Sequence, residues 1–223
     1  MAGLLHIVAT PIGNLEDISL RALKVLKESD LILAEDTRKS SILLKHYDID
    51  KPILSYHQHS GEQRKLEILN HLLGGKNISL ITDAGTPGIS DPGNELISFL
   101  FSYIPDLKII PIPGPTALTT ALSISGFDVN KFVFLGFMPK KKRKKLFDWL
   151  KEGKISFAFY ESPKRLLRTL QTLEHAFGKH IKIFIARELT KKFESTYKGS
   201  IREIYGFLEN ENIKGELVVV VDI

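Results

Sequence analysis

Two loops and four scattered titratable side chains have the residue types for chemistry. The first loop is Asp83-Ala84-Gly85-Thr86-Pro87-Gly88-Ile89-Ser90-Asp91-Pro92-Gly93, with three glycines, two prolines and two aspartates. Glycine admits positive φ and close backbone approach, and proline fixes direction, so this stiffened loop can offer carboxylates and open N–H groups to a ligand. An ordinary connection is ~2–6 residues long and has no use for so many special residues. The second loop, Pro113-Gly114-Pro115-Thr116-Ala117, has a glycine that leaves backbone N–H groups open. Its Pro115 suits the first turn of a following helix. Glu35, Asp36, His57 and Glu161 are the side chains placed to act as a general base, and the spacing does not choose among them. Glu35 and Asp36, with Arg38 after them, can equally be a helix N-cap with its dipole-matched acids. His57 and His59 stand at i, i+2 without a third ligand near or any cysteine, so no metal site is expected.

These groups need elements to hold them. Residues 6–10, 31–34, 52–56, 78–81 and 107–112 read as five short strands, four of which end in one of the polar segments above. Helical spacing follows residue 19 (Leu20, Leu23, Leu26) and runs over 63–73 (Leu66, Leu69, Leu73), closed by Gly74-Gly75. An apolar helix-like segment follows Gly93. Strand–helix alternation predicts a doubly wound, mainly parallel α/β sheet, with ligands at the strands' carboxyl ends. The Pro-Gly-Pro turn is the expected boundary, giving an N-terminal α/β domain over 1–114 and a C-terminal one over 115–223. In the latter, strands at 132–135, 156–160, 181–186 and 217–221 with helices at 164–177 and 201–209 predict a mixed sheet.

Composition narrows the class. The chain has 223 residues, is 43% hydrophobic and 26% charged, and has no cysteine, which suits a globular protein without disulfides, zinc-thiolate sites or thiol catalysis. No stretch of 18 apolar residues occurs, and the amino terminus lacks a basic region followed by an apolar run, so neither a membrane span nor a signal peptide is expected. A cytoplasmic protein is the expectation. The net charge of +5 is concentrated: Lys140, Lys141, Lys142, Arg143, Lys144 and Lys145 are consecutive. Such a run can be a solvated helix start, but like charges at this density cost stability, and a polyanion is the more economical partner.

Ala9-Thr10-Pro11-Ile12-Gly13-Asn14-Leu15, Ala34-Glu35-Asp36-Thr37-Arg38, Ser55-Tyr56-His57-Gln58-His59 and the two loops, in this order, resemble one family, as do Phe134-Leu135-Gly136-Phe137-Met138-Pro139, Tyr160-Glu161-Ser162-Pro163-Lys164-Arg165 and Ala186-Arg187-Glu188-Leu189-Thr190-Lys191. It is the small-subunit ribosomal RNA methyltransferase I family, of the wider tetrapyrrole-methylase fold. The resemblance spans nearly the whole chain. It implies two α/β domains with S-adenosylmethionine between them, transfer of a methyl group to a cytidine 2′-hydroxyl in the decoding region of small-subunit ribosomal RNA, and a homodimer. It further implies a cofactor site at Pro11, Asp83, Ala84, Gly85, Thr86, Pro87, Ile89, Ser90, Asp91, Pro113, Gly114, Thr116 and Ala117, and RNA contacts from Arg38, His59, residues 140–145, Arg165 and Arg187. Ser60, Thr116 and Lys164 stand where the family often has Asn, Ser and His. Many relatives continue past the strand that begins at Leu217, so an RNA contact made by such an extension would be missing here.

The residues themselves agree with that expectation. A sulfonium cofactor requires neither metal nor phosphate loop, and the chain has no Walker pattern and no G-x-G-x-x-G. Carboxylates and carbonyls suit its ammonium and ribose, and open N–H groups suit its carboxylate. Two other readings share the fold: a tetrapyrrole (precorrin-type) methyltransferase, and an RNA-binding assembly factor without catalysis. Six consecutive cations weigh against the first, and the intact 83–93 loop against the second.

Overall fold

The computed structural model describes residues 2–223; of the amino-terminal stretch read above, Met1 lies outside the described residues. The chain forms two compact units, one ending at Thr116 and the other running from Ala117 to Ile223.

The first unit alternates β1 (Leu5–Val8), α1 (Leu20–Glu28), β2 (Leu31–Ala34), α2 (Thr37–His46), β3 (Ile53–Ser55), α3 (Glu62–Leu73), β4 (Ile78–Ile81), α4 (Asn94–Tyr103) and β5 (Ile109–Ile112). The strands pair in the order β3-β2-β4-β1-β5, all parallel. Alternate residues of β2 serve opposite faces. Leu31 and Leu33 join Ile68 and Leu72 of α3 and Leu96 and Leu100 of α4, while Ile32 and Ala34 join Ala22 and Leu26 of α1 and Leu44 of α2. A sheet sandwiched this way must be apolar on both sides, which is why β2 and β4 are buried at every position.

Several boundaries and faces differ from the sequence expectation. The first strand begins at Leu5 and ends at Val8, because Thr10 has already turned to form an antiparallel bridge with Gly85. The fifth begins at Ile109, since Leu107 closes a turn onto the Ile104 carbonyl. Leu20 is 86% exposed, and Ala22 and Leu26 carry the buried face of α1. In α3 the buried residues are Ile68, Leu69 and Leu72, while Leu66 and Leu73 face outward. Both helices carry apolar residues at two competing helical spacings, and only packing on the sheet and on α4 selects the face. Pro115 lies ahead of the following helix, outside its first turn.

The second unit contains α5 (Ala117–Ser125), β6 (Phe132–Phe137), α6 (Arg143–Gly153), β7 (Ser156–Glu161), α7 (Pro163–Phe177), β8 (Lys182–Arg187), β9 (Ser195–Ser200), α8 (Ile201–Leu208) and β10 (Leu217–Asp222). Its sheet has the order β6-β7-β10-β8-β9, with β6 and β7 parallel and the other pairs antiparallel, so it is mixed. β9 shows no hydrophobic pattern, because Ser-Thr-Tyr-Lys-Gly-Ser is an edge strand made by backbone pairing with β8. The core gathers Phe157 and Phe159 of β7, Leu166, Leu170 and Leu173 of α7, and Val219 and Val221 of β10. Among the described residues no helix is long and apolar enough to cross a membrane.

The corrected face of α1 is testable. Leu26→Ala is expected to cost ~2–5 kcal/mol as a buried truncation, and Leu20→Ala to stay within ~0.5 kcal/mol. Denaturant unfolding of the full chain checks both; equal effects would restore the face read from spacing alone.

Candidate functional site

Because every strand of the first sheet is parallel, all five carboxyl ends fall on one edge, and the four polar segments fall there together with the Thr10-Pro11 turn after β1. Hydrogen bonds tie them together. Thr10 and Gly85 exchange both backbone bonds: the Thr10 amide donates to the Gly85 carbonyl at 2.9 Å, and the Gly85 amide to the Thr10 carbonyl at 3.0 Å. The Thr10 hydroxyl also donates to the Thr82 carbonyl at 3.2 Å. The Thr86 hydroxyl donates to the Pro115 carbonyl at 3.2 Å, which fastens the loop after β4 to the turn after β5. Gly114 passes so close to β1's end that a Cβ there would stand 3.0 Å from the Ala9 Cβ.

Acidic groups gather on the β2 and β4 side of this edge. Asp83 accepts from the Asp36 amide at 3.1 Å and from Lys39 Nζ at 2.6 Å, and its own amide points at a Glu35 carboxylate oxygen 3.4 Å away. Asp36 is the N-cap of α2, accepting from the Arg38 amide at 2.9 Å and from the Arg38 guanidinium at 3.0 and 2.8 Å. Hydrogen bonds from the Arg38 side chain and amide hold the Asp36 carboxyl well below the ordinary carboxylate range. A carboxylate so stabilised is a weak proton acceptor. His57 is exposed, and its Nδ1 accepts from the His59 amide at 3.2 Å, so the neutral ring carries its proton on Nε2. Glu35 accepts one long hydrogen bond, from the Asp83 amide, and is held by no ion pair among the described residues.

The fourth candidate, Glu161, belongs to the second unit. It is 2% exposed at the end of β7 and accepts from the Thr169 hydroxyl at 2.7 Å and the Ser162 amide at 2.8 Å, with Arg165 at 3.3 Å. Around it lies an open basin lined by Lys140, Lys141, Lys142, Arg143, Arg165 and Arg168, with Thr169 and Thr172. The lysine run divides here. Lys142 takes a left-handed conformation (φ +58°) as N-cap of α6 without a side-chain cap bond, and Arg143, Lys144 and Lys145 form the first helical turn. Cations at a helix N-terminus oppose its dipole, each by ~0.3–1 kcal/mol. Arg187, by contrast, is braced inside its own unit, donating to the Lys214 carbonyl at 2.8 Å and to the Ser195 hydroxyl at 3.3 Å.

Two contributors escaped the sequence reading. The Thr82 hydroxyl, at the end of β4, is buried without a hydrogen-bond partner, and no sequence signal marks it. Arg168 was legible: with Arg165, Thr169 and Thr172 it completes an i, i+3, i+4, i+7 face of α7.

Comparison with known proteins gives a consistent result. The sequence profile of the Tetrapyrrole (Corrin/Porphyrin) Methylases matches residues 4–205. The Ribosomal RNA small subunit methyltransferase I of Thermotoga maritima is 45% identical over 98% of this chain and 97% of that protein. The protein of the same name from Bacillus subtilis is 43% identical over 99% of this chain and 75% of that protein. Among solved structures, the methyltransferase CobJ superposes with a TM-score of 0.72 at 17% identity, covering 99% of this chain and 94% of that one. The cobalt precorrin-4 methyltransferase CbiF gives 0.72 at 17% identity over 98% and 94%. At such identity the two structures show a common fold.

The loop after β4 depends on a residue without a side chain. Gly88 has φ +85°, and a Cβ there would meet Asn94 Oδ1 at 2.8 Å, while Asn94 Nδ2 donates to the Gly88 carbonyl at 2.9 Å. Gly88→Ala is therefore expected to cost ~1–3 kcal/mol of local strain. Hydrogen exchange would show faster exchange confined to residues 83–93, and unchanged exchange there would refute the strain argument.

Proposed function

Because this chain belongs to the tetrapyrrole methylase family, whose members are S-adenosylmethionine-dependent methyltransferases, we propose that it methylates the 2′-hydroxyl of a cytidine ribose in the decoding region of small-subunit ribosomal RNA. The observation that carries the RNA reading is the cationic basin of the second unit. A helix that opens on three cations, behind a left-handed lysine, is built against its own dipole, and a polyanion offsets that opposition. A corrinoid precursor is also a polycarboxylate, but a compact one, and six consecutive cations with Arg165 and Arg168 beside them suit the extended charge of a phosphate backbone better. The names of the relatives at 39–45% identity support the same substrate class.

The residues at the carboxyl edge of the first sheet fit the methyl donor. The Thr82 hydroxyl is an orphaned buried polar group beside Asp83, the loop has carboxylates at Asp83 and Asp91, the positive-φ glycines 85 and 88 open the backbone, and Gly114 lets it pass close to Ala9. Within this reading, residues 83–91 and 113–117, with Pro11, hold the donor. When bound, that group supplies an electrophilic methyl carbon. The chain's part is to hold the ribose oxygen in line with it, an alignment worth up to ~7–11 kcal/mol. Removing the 2′-hydroxyl proton adds ~10²–10⁴-fold, and Glu35 is our assignment for that role. We place the chain in the cytoplasm, as its composition suggests, and assign it a homodimeric state, as the family resemblance implies; a sedimentation mass near the 25.1 kDa of one chain would count against the dimer.

Transfer of labelled methyl from S-adenosylmethionine to undermodified small ribosomal subunits is expected to yield 2′-O-methylcytidine on nuclease digestion. Label on a base, or transfer to a corrinoid precursor instead, would overturn the reading. Replacing Lys140, Lys141, Lys142 and Arg143 together by Ala should weaken ribosomal RNA binding. It should also flatten the salt dependence, by up to ~0.7–0.9 log units for each phosphate no longer neutralised. Cofactor affinity should be unchanged. RNA binding equal to the parent's across the salt series would reduce the run to a solvated surface.

A further inference from the structure

The basin holds more than a lysine run. Arg165 Nη2 donates to the Met138 carbonyl at 2.6 Å, and the Arg143 Nε donates to the Pro139 carbonyl, so adjacent carbonyls of one short segment anchor two guanidiniums from two different helices. Arg168 stands one turn beyond Arg165 on the same face of α7 and is exposed. Burial, together with the positive charges of Arg165 and Arg168, lowers the Arg143 pKa from its ordinary value. A buried carboxylate answers this convergence. It is Glu161, sealed from solvent, with both oxygens committed, one to the Ser162 amide and the other to Thr169 and Arg165.

A carboxylate placed so cannot reach a substrate hydroxyl without abandoning those partners. What it can do is orient Arg165 while leaving other N–H groups of that guanidinium, and those of Arg143 and Arg168, pointed at the open basin. Guanidinium forks match phosphate oxygens in pairs, where an ammonium acts as a point charge. The lysines beside them add strength without geometry.

We propose that Arg143, Arg165 and Arg168 form a fixed phosphodiester-binding site for the RNA backbone, and that Glu161 is its positioning carboxylate and not a catalytic base. The inference rests on RNA being the substrate class, and it deepens that reading by separating an oriented phosphate site from a diffuse cationic surface. The site grips the backbone, so it sets where the RNA lies and leaves base identity to be read elsewhere.

The test uses the full chain and naked small-subunit ribosomal RNA, with binding measured across a salt series and methyl transfer measured separately. Arg168→Ala should weaken binding about tenfold, the loss of one charge-assisted hydrogen bond, and flatten the salt slope by ~0.7–0.9 log units. Glu161→Gln is the discriminating variant, because it removes one negative charge and so makes the protein more positive by one. A diffuse surface would bind RNA more tightly; an oriented site should bind about tenfold more weakly, with KM for RNA rising more than kcat falls. Tighter binding by the Gln variant, or a fall in kcat at unchanged RNA affinity, would overturn the proposal. So would Arg168→Ala binding as the parent does at every salt concentration, a result that stands even if Glu161→Gln fails to fold. If binding falls as stated but neither a variant nor the parent transfers methyl to undermodified small ribosomal subunits, the phosphate site stands and the proposed activity falls.

Discussion

Parallel pairing on both sides of β1, β2 and β4 is the constraint on which the first unit depends. A parallel strand can be reached only by a crossover that brings the chain back to the edge where it began, and here helices make each crossover. Two consequences are forced together. Both faces of the sheet need an apolar cover, met by α1 and α2 on one side and α3 and α4 on the other. All the strands also release their chain at the same edge, so residues far apart in sequence, such as Thr10, Glu35 and Asp83, become neighbours. The Thr10–Gly85 bridge fastens two of those loops directly, 75 positions apart in the chain.

The second unit solves a different problem with a different sheet. Only β6 and β7 are parallel, and the long apolar stretch of β10 is buried between its antiparallel neighbours. Where β7 ends and two helices begin, the unit carries a basin whose charge is nearly all of one sign. Repulsion there is tolerated because the Arg143 and Arg165 guanidiniums are tied to carbonyl oxygens, and Arg165 also to one buried acid, which limits how far these two can separate. An exposed lysine run without such ties would spread into solvent and lose definition.

The sequence made the strands of both sheets legible except one, and it made the two Gly/Pro-rich loops legible as loops at strand ends, because their glycines and prolines have no role in a helix or strand. It misjudged what depends on packing between elements. Leu20 and Leu66 look like core residues by spacing, and only the packing of α1 and α3 turns them outward. β9 has no hydrophobic pattern to betray it, since an edge strand is held by backbone pairing. The roles of the four acidic and imidazole candidates were legible only in part: the N-cap reading of Asp36 stood beside the catalytic one and is the one its partners select, while Glu161 as a sealed acid is a statement about partners that arrive through the fold.

The position of β10 bears on how the protein is made. It is last in sequence yet central in its sheet, with β7 on one side and β8 on the other. Until residues 217–222 have left the ribosome, the β6–β7 pair and the β8–β9 pair cannot be joined, and each presents an unpaired inner edge. The first unit has by then had about a hundred residues' worth of synthesis, on the order of 5–20 s at ~5–20 residues per second, in which to fold. Synthesis therefore delivers the two units in sequence. The interval before β10 emerges is when the nascent chain is most exposed to pairing with the wrong strand.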